Sequence, residues 1–268
     1  MIKLGVNTVL FQGFDLRTAM QHIKWAGYDA AEISAIKGMC EHLELDSWKN
    51  QAGDIKALVQ DLELPITAME EAALDEDRLI KAFEAGAEIG IPVVNVGPGG
   101  SQGNPEDLGK CLGMLAKMAE KAKPFGVSLC VKAHVGAAIW NTTTTLVAMK
   151  QIDSPAFGID MDPSHIHRGG EVPKDALREV VSRVKHVHIR DCAGSGPSPG
   201  PPELQACGRG DIDLMGYCKV LVDAGYSGPV NLEVIGAGSY ELNRCAIIAA
   251  ESYGYLNACL KACGGRQG

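Results

Sequence analysis

The sequence has few aromatic residues, no run of basic residues and no long run of apolar residues. Phe, Trp and Tyr make up only 5% of its 268 residues, and its formal net charge is −8 at pH 7. An acidic chain without a segment rich in lysine and arginine is a poor match for nucleic acid or for a membrane surface. No stretch of about 18 apolar residues occurs, so the sequence predicts no transmembrane helix. We therefore expect neither nucleic acid nor a membrane among its partners.

The cysteines lack the spacing of a zinc site or of a redox pair. The chain has nine of them, an odd number, and no two stand in a Cys-x-x-Cys pattern. Scattered thiols favour a reduced, cytoplasmic protein over a disulfide-bonded secreted one. The segment Met1–Val6 has the pattern of a strand and not that of a signal peptide. We therefore expect a cytoplasmic protein.

Short apolar segments alternate with longer amphipathic ones along the whole chain. The predicted strands are Ile2–Thr8, Asp29–Ser34, Pro65–Glu70, Pro92–Val96, Val127–Lys132, Phe157–Asp162, His186–Ile189 and Pro229–Val234. The predicted helices are Phe14–Trp25, Ser47–Leu62, Glu76–Ile89, Asn104–Phe125, Thr142–Ile152, Lys174–Arg183, Asp213–Ala224 and Tyr240–Ala262. Strands that alternate with helices indicate parallel pairing, and this number of units in a chain of this length predicts one (β/α)8 TIM barrel domain over residues 1–268.

An open, doubly wound sheet is the alternative fold for such an alternation. It is disfavoured because the first predicted strand is followed by Asn7-Thr8-Val9-Leu10 and not by the glycine-rich phosphate-binding turn of that fold. The long irregular segment Asp191–Asp211 is rich in Gly, Pro and Ser. Loops of this length in a compact domain are usually either functional or disordered.

The sixth predicted strand ends in a group of acidic and histidine residues. Asp160 and Asp162 lie on one face of that strand, and His165 and His167 follow just beyond it. An anionic oxygen next to imidazole nitrogens suits a divalent metal ion. An ordinary strand followed by a polar loop would give the same pattern, so the segment alone leaves both interpretations open.

Polar side chains also stand at the ends of most other predicted strands. In a TIM barrel, the carboxyl ends of the strands carry the chemistry. The last inward-facing residues, together with one residue just beyond strand five, are Asn7, Glu32, Asn95, Lys132, His134, Asp162, His188 and Glu233. A barrel interior is normally filled by branched aliphatic side chains, so this composition indicates a site and not a plain core.

Four motifs resemble the xylose isomerase-like TIM barrel superfamily. They are Asp162-Pro163-Ser164-His165, Val187-His188-Ile189-Arg190-Asp191, Gly208-Arg209-Gly210-Asp211-Ile212-Asp213 and Asn231-Leu232-Glu233. This superfamily includes sugar phosphate isomerases and epimerases, ketose 3-epimerases, inosose dehydratases and endonuclease IV. The resemblance covers essentially the whole chain, and its motifs are specific for the superfamily but not for one reaction.

The resemblance implies a metal site. In ketose epimerases of this group a divalent metal, often manganese, is held by a Glu, an Asp, a His and a second Glu from strands five to eight. The Asp corresponds to Asp162, the His to His188 and the second Glu to Glu233. The position of the first Glu is Lys132, and His165 corresponds to a histidine that binds substrate. The implied cofactor is a divalent metal ion such as Mn, Mg, Co or Zn.

A lysine at the position of an anionic ligand leaves three alternatives open. In the first, Asp162, His188 and Glu233 still hold the metal, and water, His134 or a glutamate near Glu70 completes its shell. Lys132 then loses its proton in the field of the metal and acts as a base or polarises a carbonyl. In the second, the ammonium of Lys132 occupies the place of the metal and pairs with Asp162 or Asp160. A Schiff base with a keto sugar then becomes possible. In the third, the site is inactive and the barrel is a sugar-binding subunit.

The expected function is that of a divalent-metal-dependent isomerase or epimerase. It would remove a proton next to a carbonyl of a small keto sugar or polyol derivative, with Glu233 and Lys132 as catalytic residues. The candidate substrate-binding residues are His165, His134, Arg190, Arg209 and Glu32. A lyase or dehydratase acting on a keto sugar or its glycoside begins with the same step and is the alternative. The expected partner is a small sugar, with a homo-oligomer possible.

Overall fold

The computed structural model describes residues 1–267, in which eight parallel strands close into a barrel. The strands, in chain order, are β1 (Lys3–Asn7), β2 (Ala30–Ile36), β3 (Cys40–Glu41), β4 (Ile66–Ala72), β5 (Val93–Val96), β6 (Ser128–Lys132), β7 (Phe157–Met161), β8 (Val184–Ile189) and β9 (Pro229–Leu232). All except β3 belong to the barrel, and the pairing of β1 with both β2 and β9 closes it. The short strand β3 pairs antiparallel with the end of β2. The predicted TIM barrel is confirmed.

Helices surround the barrel on its outer side. They are α1 (Leu16–Trp25), α2 (Trp48–Leu62), α3 (Glu76–Ile89), α4 (Pro105–Ala122), α5 (Thr142–Gln151), α6 (Pro163–Arg168), α7 (Pro173–Val180), α8 (Pro202–Gln205), α9 (Leu214–Asp223) and α10 (Leu242–Ala262). Their apolar faces pack on the outward-facing β-branched and aliphatic residues of the strands and form one large buried core. Among the helices of residues 1–267, none combines the length and the apolar character that a membrane span requires.

Side-chain caps explain where several helices begin. The Asp15 and Asp75 carboxylates accept hydrogen bonds from the backbone amides of Thr18 and Arg78, at the starts of α1 and α3. These bonds satisfy amide groups that have no partner within the helix. Asn141 and Thr144 form a reciprocal capping box at the start of α5. Local sequence therefore determines these boundaries, and the predicted helices at these places are confirmed.

One helix that positions the site was missing from the prediction. The segment after the sixth predicted strand, for which no helix was predicted, forms the helix α6, which begins at Pro163, directly after Asp162. Asp162 serves as its N-cap, because the carboxylate Oδ1 accepts a hydrogen bond of 2.8 Å from the amide of Ser164. Proline at the first helical position is favourable, since its missing N–H would have no partner there. This short helix directs His165 and Arg168 towards the barrel axis.

The register between strands brings the polar strand ends together at one rim. Asn7 of β1 is level with Glu32 of β2, and Lys132 of β6 is level with Asp160 of β7. Because all eight strands are parallel, their carboxyl ends open towards the same side of the barrel. The polar residues that separate strands contribute therefore form one buried cluster inside the upper barrel.

Candidate active site

The ammonium group of Lys132 lies at the centre of the upper barrel and contacts two carboxylates. Its Nζ is 2.7 Å from Glu233 Oε1 and 3.0 Å from Glu70 Oε1. Asn7 donates a hydrogen bond of 2.6 Å to the other oxygen of Glu70. All of these side chains are buried. A buried cation needs partners of this kind, because the cost of removing it from water must be offset by close opposite charges.

A second buried cation, Arg190, contacts the same glutamate from another side. Its Nη1 lies 3.2 Å from Glu233 Oε2, and its Nη2 donates to Asp162 Oδ2 at 2.9 Å. Its Nε donates to the hydroxyl of Ser164 at 2.7 Å. Each oxygen of Glu233 therefore faces a different cation, and each oxygen of Asp162 has a partner.

The imidazole of His188 lies between two buried carboxylates, one layer below Lys132. Its Nδ1 is 2.6 Å from Asp160 Oδ2, and its Nε2 is 2.7 Å from Glu32 Oε2. Burial alone would lower the pKa of His188, but the charges of Asp160 and Glu32 raise it well above its usual value. The two carboxylates therefore favour the charged form of His188, although Lys132 Nζ lies 3.3 Å from the same Nδ1.

Further polar groups hold Glu32, Asp160 and His188, the layer below Lys132, in place. Asn95 donates to Glu32 Oε1 at 2.7 Å, and Asp160 Oδ1 lies 2.8 Å from His186 Nδ1. The backbone amide of His188 donates to the same oxygen of Asp160 at 3.0 Å. The layer is a hydrogen-bonded network of polar and charged side chains that fixes the orientation of the groups above it.

The environment separates the acidity of the two glutamates that contact Lys132. Burial and the negative charge of Glu233 raise the pKa of Glu70 to about 7. Burial would also raise the pKa of Glu233, but Lys132 and Arg190 lower it well below its usual value. The pKa of Lys132 is raised by both glutamates despite its burial, so the amine stays an ammonium. Two carboxyl groups of unequal acidity are what a proton-transfer site requires.

A cavity of about 290 Å³ opens above these groups at the carboxyl ends of the strands. Its polar lining side chains are Glu70, Lys132, His134, His165, Arg168, Arg190 and Glu233. Pro197 and Pro199, from the predicted irregular segment Asp191–Asp211, also line it. The size suits a small molecule of a few polar groups, enclosed on one side by this loop.

The structure brings most of the predicted site residues to this cavity, but not all of them. Glu233, Lys132, His134, His165 and Arg190 line it, and the rings of His134 and His165 stack with centroids 4.0 Å apart. Asp162, His188 and Glu32 are buried beside or below the lining residues. Arg209 lies on the surface, where it forms an ion pair with Glu251 of α10, so it does not reach the cavity.

Two residues that line the cavity were predicted neither as strand-end residues nor as substrate-binding residues. Glu70 lies on β4, and the inward alternation that selected Lys132 would also have selected it, because it ends the predicted strand Pro65–Glu70. Arg168 ends α6, one helical turn after His165. Its position could not be predicted, because residues 163–168 were not among the predicted helices.

Within residues 1–267, two groups of side chains have ligand atoms close enough to hold a cation. They are Glu32, His186 and His188, and Glu70, His188 and Glu233, with the ligand atoms of each group within 4.8 Å of one another. Carboxylate oxygens and imidazole nitrogens suit Mn²⁺ or Zn²⁺, so these groups suggest a divalent metal. In the second group, the ammonium of Lys132 is already within 3.3 Å of an atom of each residue.

Comparison with protein families and with curated sequences relates this site to known proteins. A family model described as "Xylose isomerase-like TIM barrel" matches residues 9–256. An inosose isomerase from Halalkalibacterium halodurans is 24% identical over 258 residues, covering 90% of this chain and 91% of that protein. An inosose dehydratase from Clostridium perfringens is 29% identical over 131 residues, 44% of each chain.

Solved structures with the same fold include proteins described as epimerases and as a zinc-bound protein. A D-tagatose 3-epimerase-like protein superposes with a TM-score of 0.78 at 21% identity, covering 98% of each chain. The IOLI protein with a binding zinc atom superposes with a TM-score of 0.79 at 17% identity, covering 96% of this chain and 99% of the other. At this level of identity the likeness establishes the fold alone.

Proposed function

We propose, because the chain belongs to the xylose isomerase-like TIM barrel family, that it isomerises or epimerises a small keto sugar or keto polyol. The reaction would move a proton at the carbon next to the carbonyl. Relatives described as inosose isomerase and inosose dehydratase support a cyclic or open-chain keto polyol as the class of substrate. The fold hosts isomerases, epimerases and dehydratases alike, so the reaction must be argued from the site.

One observation carries the proposal: Lys132 joins two glutamates of unequal acidity on the floor of the cavity. Its Nζ lies 2.7 Å from Glu233 and 3.0 Å from Glu70. Glu233 is held ionised by two cations, whereas Glu70 retains a proton far more readily. A base, an acid and a positive charge therefore meet at the bottom of a cavity large enough for a sugar. Proton transfer next to a carbonyl needs these three groups.

The residues suggest the following steps. Glu233 takes the proton from the carbon next to the carbonyl, and the electron pair of that C–H bond moves to the carbonyl oxygen. Lys132 and Arg190 stabilise the negative charge of the resulting enediolate. The carboxyl group of Glu70 returns a proton to the same carbon, which gives the epimer. For the isomer, the proton goes to the former carbonyl carbon, and the hydroxyl proton of the neighbouring carbon moves to the other enediolate oxygen, so that the carbonyl forms at the neighbouring carbon. An imine is not part of this sequence, because the amine of Lys132 stays protonated between two carboxylates.

A metal ion at this position would meet a competing cation. The side chains of Glu70, His188 and Glu233 suit a divalent ion in donor type and spacing. The Lys132 ammonium lies within 3.3 Å of an atom of each, however, and like charges repel strongly at such distances. In this arrangement, the site cannot hold the Lys132 ammonium and a divalent metal ion at the same time. We therefore assign the positive charge at the carbonyl to Lys132 and Arg190, and metal binding stays a prediction for a form in which Lys132 has moved.

The test is deuterium exchange in heavy water, followed by NMR over a panel of keto sugars and inososes. We expect wild-type protein to incorporate deuterium next to the carbonyl of at least one substrate, and Glu233→Gln to abolish this exchange. Glu251→Gln is the matched control, because Glu251 pairs with Arg209 on the surface. Binding of a sugar without any exchange would refute the proposal and favour a sugar-binding subunit.

A dehydratase is the second candidate, favoured by the relatives described as inosose dehydratases. It shares the first proton transfer, after which the Glu70 carboxyl would protonate a departing hydroxyl instead of a carbon. Mass spectrometry separates the two reactions. A product lighter by one water indicates the dehydratase, and a product of unchanged mass indicates the isomerase or epimerase.

A further inference from the structure

Arg168 differs from the other buried cations of this protein in having no carboxylate partner. Lys132, Arg168 and Arg190 are the buried lysine and arginine residues of the part of the chain that the structure describes. Lys132 and Arg190 form ion pairs with Glu70, Glu233 and Asp162. Arg168, only 7% exposed, forms none within 4.0 Å among these residues. A buried guanidinium without a counter-charge is costly, so a counter-charge from outside the chain would stabilise it.

Neutral groups hold Arg168 at the wall of the cavity. Its Nη1 donates to the carbonyl of Pro197 at 2.7 Å, and its Nε donates to the carbonyl of Ser164 at 3.2 Å. Its Nη2 lies 2.9 Å from Nδ1 of His165. These contacts fix the plane of the guanidinium but supply no negative charge. The group is oriented in advance, as a binding site for a planar anion requires.

Arg190 brings a second guanidinium to the same imidazole. Its Nη2 lies 3.0 Å from Nε2 of His165. Its Nη1 is buried and lies 3.2 Å from Glu233 Oε2 without the geometry of a hydrogen bond. An imidazole accepts a hydrogen bond at one nitrogen at most, whereas Arg168, Arg190 and the backbone amide of Val135 all direct N–H groups at His165. N–H donors are therefore in excess here.

We propose that Arg168, Arg190 and His165 bind an anionic group of the substrate, a carboxylate or a phosphate, at the rim of the cavity. All three side chains line that cavity, together with Lys132. The anion would accept hydrogen bonds from the N–H groups for which the imidazole has no acceptor. It would also neutralise the unpaired charge of Arg168. Guanidinium pairs suit carboxylate and phosphate oxygens because their N–H groups match these planar or tetrahedral acceptors. The substrate would then be a keto sugar acid or a keto sugar phosphate.

This inference rests on the proposed function only in taking the cavity as the substrate site. Its first test is therefore a binding measurement. Calorimetry with inorganic phosphate and with acetate as probes compares wild-type protein with Arg168→Gln and Arg168→Lys. The glutamine Nε2 can take the place of the arginine Nε, which donates to the carbonyl of Ser164, but the side chain carries no charge. Arg209→Gln is the control, since it removes an exposed arginine that pairs with Glu251.

We expect one of the two probes to bind wild-type protein and the Arg209 variant equally. Binding to Arg168→Gln should be at least about tenfold weaker, as for the loss of a charge-assisted hydrogen bond, and Arg168→Lys should recover part of it. Unchanged binding to a folded Arg168→Gln protein, or no binding of either probe to wild-type protein, would overturn the inference.

Turnover then separates this inference from the proposed function. Deuterium exchange is measured on matched neutral, carboxylated and phosphorylated keto sugars. A preference for an acidic substrate that Arg168→Gln removes through a raised KM supports the inference, and the preferred partner identifies the anion. Exchange on neutral sugars alone, unaffected by Arg168→Gln, would overturn the inference and leave the proposed function standing. Anion binding through Arg168 without exchange on any sugar would support the inference and refute the proposed function.

Discussion

Lys132 Nζ lies 2.7 Å from Glu233 Oε1, across the top of the barrel from β6 to the end of β9. Both side chains are buried, and the same ammonium also contacts Glu70. In the ketose epimerases that the chain resembles, the position of Lys132 is that of an anionic metal ligand. The ammonium of Lys132 therefore lies among acidic groups that could otherwise bind a metal ion. The first two predictions change the charge at this position.

Replacing Lys132 with methionine should stop proton transfer without emptying the core. Methionine fills a similar volume but removes the charge that stabilises the enediolate and the Glu233 carboxylate. We expect deuterium exchange to fall by about a hundredfold or more, as for the loss of one donor to a developing oxyanion. Lys219→Met, at an exposed residue paired with Asp223, is the control. If Lys132→Met exchanged deuterium within twofold of wild type, the lysine would have no part in the chemistry.

Replacing Lys132 with glutamate should create a site for a divalent metal. The variant would place a carboxylate beside Glu70, His188 and Glu233, whose ligand atoms already lie within 4.8 Å of one another. We expect Mn²⁺ or Zn²⁺ to bind at least about tenfold more tightly than to wild type, since even outer partners of metal ligands affect affinity this much. Calorimetry and metal analysis measure the difference.

The neutral variant Lys132→Gln is the control for the metal prediction, because it removes the ammonium without adding a ligand. We also expect exhaustive chelation to leave wild-type deuterium exchange unchanged. One tightly bound metal ion per wild-type chain, lost together with activity on chelation, would contradict the assignment of the positive charge to Lys132.

How much of this site could be predicted depended on whether a residue lies on a strand. Parallel strands of a barrel end at one rim and alternate inward and outward, so Lys132, His188 and Glu233 could be assigned to one place from their positions alone. Glu70 obeys the same rule, but it was considered only as a place for a further metal ligand, because its strand end was not included among the inward-facing ones. The limits of these predictions therefore arose mainly outside the strands.

Residues beyond the strand ends were harder to predict because tertiary contacts direct them. Arg209 follows a glycine in a long loop, and its side chain turns outward to Glu251 of α10. Arg168 points into the cavity because α6 starts directly at Pro163, with Asp162 as its cap. No periodic pattern covers a helix of this length, and the carbonyl of Pro197 that orients Arg168 lies far away along the chain.

Removing the charge of Asp162 should destabilise the fold in two ways, by breaking the ion pair with Arg190 and by weakening the cap of α6. Its Oδ2 accepts from Arg190, and its Oδ1 accepts from the amide and hydroxyl of Ser164. Asp162→Asn keeps one acceptor but turns an amide donor towards the buried guanidinium. We expect the free energy of unfolding in urea to fall by about 3 kcal/mol, as for a broken buried ion pair. Asp175→Asn, which breaks the exposed pair with Arg178, should cause no measurable change; equal effects of both would contradict the argument.

A substitution at Gly5 tests whether Asn231 and the polar side chains below Lys132 can move without a loss of stability. A Cβ added at Gly5 would lie 2.1 Å from Asn231 Oδ1 and 3.1 Å from the carbonyl oxygen of Ala30. Asn231 cannot retreat freely, because its Nδ2 lies 2.7 Å from Nε2 of His186. Gly5→Ala should therefore lower the free energy of unfolding by about 1–3 kcal/mol, the usual cost of overpacking a core.

The matched control for Gly5→Ala is Gly53→Ala, at an exposed position within α2 where an added Cβ meets nothing within 4 Å. That variant should raise the free energy of unfolding by about 0.5–1 kcal/mol, because alanine loses less conformational freedom in a helix than glycine does. Urea unfolding followed by circular dichroism measures both. If Gly5→Ala were as stable as wild type, Asn231 would be free to move, and the layer that orients His188 and Lys132 from below would be less rigid than its contacts imply.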